Sequence, residues 1–124
     1  MEMVFYRCAK CGQIVAIVKK TGAPVVCCGE PMKEMIPGTS DASLEKHVPV
    51  VSAADGKVTV DVGSIPHPMA PEHFIEWVAL KTAKGNQRKA LHPGDEPKVT
   101  FLIDDDDTVE AVFAFCNLHG LWKN

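Results

Sequence analysis

Lys57-Val58-Thr59-Val60-Asp61-Val62 sets three valines on one face of an extended chain and three polar side chains on the other. That two-residue period is the mark of a half-buried β-strand. Residues 74–80, 98–103 and 109–115 are further runs rich in branched and aromatic side chains, which favour a pleated surface. Between the runs stand turn formers: Asp55-Gly56, Lys84-Gly85-Asn86 and His92-Pro93-Gly94-Asp95. No stretch carries a long helical period. The pattern predicts an all-β fold, an antiparallel sandwich of about seven strands.

Upstream, residues 1–36 form a separate compositional unit. Phe5-Tyr6-Arg7 leads into Cys8-Ala9-Lys10-Cys11-Gly12, followed by the apolar run Ile14-Val15-Ala16-Ile17-Val18. The chain turns at Lys20-Thr21-Gly22 and returns through Pro24-Val25-Val26 to Cys27-Cys28-Gly29. Short strands and tight turns are expected here. A piece this small, below roughly 40 residues, needs a staple to fold, and a metal would serve. Pro37-Gly38-Thr39-Ser40 reads as the linker to a second domain over 37–124.

A length of 124 residues fits one ordinary domain, or one domain plus a small appendage. At 46% apolar it can bury a core, so global disorder is not expected. Thirteen Lys and Arg against sixteen Asp and Glu give a net charge of −3. That balance argues against a nucleic-acid binder, which needs a basic face to displace counterions from phosphates. No apolar run approaches the roughly 20 residues of a membrane helix. Residues 1–7 lack a basic flank leading into an apolar run, so a cytoplasmic location is expected. The run Asp104 to Asp107 reads as a solvated turn, with a weak cation site as the alternative.

Five cysteines are present: Cys8, Cys11, Cys27, Cys28 and Cys116. An odd number without an export signal speaks against a disulfide framework. Cys8-x2-Cys11 has the spacing of a thiolate knuckle. The adjacent pair Cys27-Cys28 is unusual, because neighbouring side chains diverge and a shared site should be distorted. Structural zinc, iron and a vicinal disulfide at Cys27-Cys28 all stay open on these residues. A four-thiolate site has no open position and can hold a fold or pass electrons.

His67 and His73 flank Pro68-Met69-Ala70-Pro71-Glu72, a segment with little freedom to move. Cys116-Asn117-Leu118-His119 offers a thiolate and an imidazole two residues apart, just after a strand. His47 lies in Glu45-Lys46-His47-Val48-Pro49, and His92 in a Pro-Gly turn without a partner. If His47, His67, His73, His119 and Cys116 converge, five donors suit iron better than four-coordinate zinc. A sixth position would stay open, and a thiolate opposite it would push electron density toward a bound molecule. Trp77 and Trp122 read as packing.

These motifs together resemble the desulfoferrodoxin family, two-iron superoxide reductases, over essentially the whole chain. The resemblance rests on Cys8-x2-Cys11-x15-Cys27-Cys28, Glu45-Lys46-His47-Val48-Pro49, His67-Pro68-Met69 with His73, Glu76-Trp77 and Cys116-Asn117-Leu118-His119-Gly120-Leu121-Trp122. It implies a desulforedoxin-like domain over 1–36 with iron on Cys8, Cys11, Cys27 and Cys28. It implies an immunoglobulin-like sandwich over 37–124 with iron on equatorial His47, His67, His73 and His119 and axial Cys116. The implied reaction is one-electron reduction of superoxide, with two protons, to hydrogen peroxide. Glu45 would fill the sixth position in the resting ferric state, and Lys46 would attract superoxide and order water. The resemblance also implies a rubredoxin-type electron donor and a homodimer. His92 has no place in the motif.

Overall fold

The computed structural model describes residues 3–124, and the chain divides into two compact units, Met1–Ile36 and Pro37–Asn124. In the first unit, β1 (Val4–Arg7) pairs antiparallel with β2 (Ile14–Ile17). The hairpin β3 (Val26–Cys27) and β4 (Glu30–Pro31) follows, and β5 (Lys33–Glu34) adds to the free side of β1. Its buried apolar side chains among the described residues are few: Phe5, Cys8 and Met32. Cys27 pairs with Glu30, leaving Cys28-Gly29 as a two-residue loop with φ of 52° and 77°. Two consecutive left-handed residues make the type I′ turn that matches hairpin twist.

The second unit opens with a single helical turn, α1 (Leu44–His47). Seven strands follow: β6 (Pro49–Ala54), β7 (Lys57–Val62), β8 (Ile75–Thr82), β9 (Asn86–Ala90), β10 (Lys98–Leu102), β11 (Val109–Cys116) and β12 (Gly120–Lys123). They form two antiparallel sheets, ordered β10-β7-β6 and β12-β11-β8-β9. The predicted all-β sandwich is present, with its expected strand number. β7 turns Val58, Val60 and Val62 inward as its alternation requires, against Ile75, Val78, Leu80, Phe101, Val112 and Ala114. Cys116, fully buried, ends β11 and belongs to this core. The registers Pro49↔Val62, Ile75↔Cys116 and Cys116↔Gly120 align the start of β6, the end of β7, the start of β8, the end of β11 and the start of β12. Loops from successive strand ends therefore gather at one end of each sheet.

At Asp104–Asp107 the solvated turn is capped from within. Lys84 Nζ lies 2.6 Å from Asp106 and 3.8 Å from Asp104. The Asp107 carboxylate accepts from the Lys84 and Thr108 amides at 3.1 and 2.9 Å. A lysine ammonium stands where the alternative reading placed a cation.

Candidate metal centres

Cys8, Cys11, Cys27 and Cys28 offer sulfurs that all lie within 4.8 Å of one another. Cys11 and Cys27 Sγ are 3.7 Å apart, Cys27 and Cys28 Sγ 3.9 Å. A disulfide would bring them to about 2 Å, so the vicinal-disulfide alternative is excluded, and all five cysteines are free. Four thiolates at about 2.3 Å from one ion sit about 3.8 Å apart at the corners of a tetrahedron. Cys28 is left-handed, and its Sγ lies within 4.8 Å of the other three sulfurs despite its adjacency to Cys27. The Cys11 amide donates to Cys8 Sγ and draws Cys8 down to about 6. The thiols of Cys11 and then Cys8 push Cys27 up to about 12. Such a group ionises fully only around a cation, and the donor set fits iron or zinc.

The second group gathers His47 from the end of α1, His67 and His73 from the loop between β7 and β8, and Cys116 from the end of β11. His67 Nε2 is 3.1 Å from His47 Nε2. His119, from the turn between β11 and β12, presents Nδ1 3.2 Å from His47 Nε2 and 3.8 Å from Cys116 Sγ. Nitrogens bound at about 2.1 Å to one ion, at right angles, lie about 3.0 Å apart. Neighbouring rings around the cycle 47–67–73–119 are 4.6, 4.7, 5.0 and 5.0 Å apart, each pair near perpendicular. His47 and His73, across the cycle, are 6.4 Å apart. The four imidazoles thus form a square, and Cys116 reaches it from the core.

The surroundings prepare these side chains for a metal. Burial holds His47 and His73 below the usual imidazole range and draws His67 down to about 4, so all three are neutral near pH 7. Burial raises the Cys116 thiol, and a bound cation would reverse that. His73 Nε2 is buried with no hydrogen-bond partner, an orphan that an ion would satisfy. His47 Nδ1 and His67 Nδ1 donate to the carbonyls of Ser43 and Pro68, each at 2.7 Å, which leaves Nε2 as the donor atom to a metal. The residues present fit a resident iron. Trp122 packs on the His47 ring at 4.8 Å and donates from Nε1 to the His119 carbonyl at 3.1 Å. Trp77 stacks on Phe115 in the core.

Glu45 and Lys46 lie exposed on α1, immediately before His47. Glu45 is not drawn into the ligand group. Its own backbone amide and the Ser43 hydroxyl hold its carboxyl below the usual range. The Lys46 ammonium is close enough to disfavour charge on His47 and His73. His92 stands apart, 78% exposed and 3.6 Å from Asp95. The ligand types were readable from the sequence. The Ser43 and Pro68 carbonyls, the Asn117 amide and Gly63 were not, since a main-chain partner leaves no residue-type signal.

Three comparisons agree with this geometry. The desulfoferrodoxin family profile matches residues 39–124, and the profile of the desulfoferrodoxin N-terminal domain matches residues 1–35. Desulfoferrodoxin of Nitratidesulfovibrio vulgaris is 47% identical over 95% of this chain and 92% of its own length. A desulfoferrodoxin homologue of Archaeoglobus fulgidus is 45% identical over 98% and 96%. The crystal structure of the superoxide reductase from Treponema pallidum superposes with a TM-score of 0.85 at 42% identity, covering 100% of this chain and 99% of that one. With both domains matched and both donor sets assembled, the chain belongs to the desulfoferrodoxin family.

Proposed function

We propose that the chain is a superoxide reductase with two resident irons. The first is held by Cys8, Cys11, Cys27 and Cys28 over 1–36. The second is held by His47, His67, His73, His119 and Cys116 over 37–124. The observation that carries this reading is the square of four imidazoles with one buried cysteine beneath it. Iron bound there supplies the single electron that, with two protons, converts superoxide to hydrogen peroxide. The chain's residues do the rest. Cys116 brings a thiolate from the water-free core, where its charge is poorly screened and its donation toward the ion is strong. Four neutral imidazoles around a divalent ion and one thiolate leave a local charge of +1, which attracts a small anion despite the acidic chain. Lys46 adds a second positive charge on the solvent side and orders the water that delivers protons. Glu45, two residues before His47, carries a hard carboxylate that would suit the oxidised form of a bound iron better than the reduced form.

The four-thiolate centre is coordinatively closed and suits electron storage or fold stability. A small rubredoxin-type protein is the proposed electron donor, and a cytoplasmic homodimer the proposed state. Among the described residues no helix is long and apolar enough to cross a membrane. A gas and peroxide balance tests the activity. A reductase supplied with electrons yields one peroxide per superoxide and no dioxygen. Dioxygen release at half the superoxide consumed would make it a dismutase and overturn the reading.

A further inference from the structure

We infer that the Asn117 side chain is the positioning residue of His73. The inference rests on the proposed ligand set. Each of the other two histidines with Nε2 turned to the centre has its ring fixed by a carbonyl: His47 by Ser43 and His67 by Pro68. His73 has no such ring hydrogen bond among the described residues, and its buried Nε2 is free. What holds it is the backbone on either side. Ala70 and His73 exchange two amide hydrogen bonds of 3.0 Å, closing the loop behind the ring. In front, one amide side chain grips both neighbours. Asn117 Oδ1 accepts from the Phe74 amide at 2.9 Å, and its Nδ2 donates to the Glu72 carbonyl at 3.1 Å. The Asn117 amide also donates to the Phe74 carbonyl at 3.2 Å.

Asn117 itself sits between two ligands, following Cys116 and preceding His119 by two residues. Its carboxamide therefore ties the segment that carries His73 to the turn that carries Cys116 and His119. A residue with both a donor and an acceptor on one short planar group is required, since Glu72 offers a carbonyl and Phe74 an N–H. Asn117 does through the backbone what ring hydrogen bonds do for His47 and His67. Partners of this kind set ligand geometry and metal affinity.

The test uses the full chain with iron in both centres, and follows release of ferrous iron to excess chelator. Asn117→Ala is expected to release the histidine-bound iron roughly 10- to 100-fold faster than the parent. The four-cysteine iron of the same molecule should leave at the parent rate, an internal control. In a His73→Ala background, adding Asn117→Ala should cause no further acceleration, because the residue acts through His73. Thermal unfolding of the iron-free chains separates positioning from folding. Parent-like iron release by Asn117→Ala overturns the inference. So does full additivity with His73→Ala, or an acceleration matched by a fall in iron-free stability that also loosens the four-cysteine iron.

Discussion

Gly63 is where one methyl group should disturb the centre most without touching a ligand. A Cβ built at Gly63 would lie 2.7 Å from the Glu45 carbonyl, 2.9 Å from the Val48 carbonyl and 3.1 Å from the Lys46 carbonyl carbon. All three are backbone atoms of α1 or its C-cap, so no flexible side chain can yield. The same loop is fastened to α1: the Ile65 amide donates to the Glu45 carbonyl at 2.9 Å, and Ser64 Oγ donates to it at 3.2 Å. Relief to an ordinary contact of 3.4 Å needs about 0.7 Å of movement between α1 and the loop. α1 carries His47 and the loop leads to His67, whose Nε2 atoms are 3.1 Å apart. That displacement exceeds the roughly 0.5 Å tolerance of such a site. Overpacking of this kind costs roughly 1–3 kcal/mol, or a melting temperature lowered by about 5–20 °C in a domain of this size. Gly63→Ala should therefore destabilise the C-terminal domain and weaken its iron, with the four-cysteine iron unaffected. Calorimetry and iron release measure both. Parent-like melting together with parent-like iron retention would refute the close-approach argument.

Three further changes probe the proposed roles. Cys116→Ser should abolish the thiolate-to-iron absorption and reduce turnover by more than about tenfold; retention of both would remove Cys116 from the ligand set. Lys46→Ala should slow the encounter with superoxide by roughly threefold to tenfold at low salt and flatten its ionic-strength dependence. A rate with unchanged salt response, measured by pulse radiolysis, would deny Lys46 a steering role. His92→Ala should keep both irons and change stability by no more than about 0.5 kcal/mol, since the ring is exposed; loss of one iron on metal analysis would place His92 among the ligands.

Much of the sandwich is written in side-chain alternation. β7 occupies the predicted residues because its valines must face the core, and β10 and β11 follow their apolar runs. β9, Asn86–Ala90, carries almost no apolar signal, because it is an edge strand whose backbone pairs with β8 while most of its side chains meet solvent. α1 is one turn long, too short for any helical period, and is held by the Gly63 loop rather than by propensity. The same division runs through the centres. The donors are chemically distinctive residue types and stand out in the sequence. Their supports are carbonyls of Ser43 and Pro68, an ordinary asparagine and a glycine, whose roles depend on partners 4 to 45 residues away or immediately adjacent. The turn that brings Cys27 and Cys28 to one site was hidden for a local reason. An extended backbone splays neighbouring side chains, but Cys28 is left-handed within a two-residue turn.

Iron held by the square of histidines over Cys116 is proposed to deliver one electron to superoxide. The most direct measurement is a superoxide pulse on anaerobically reduced, iron-loaded protein, followed by visible absorbance. The oxidised thiolate–iron band should grow in at a rate proportional to superoxide, one centre per superoxide, with the parent protein responding and Cys116→Ser lacking the band. An iron confirmed in that site whose absorption does not change after the pulse would contradict it.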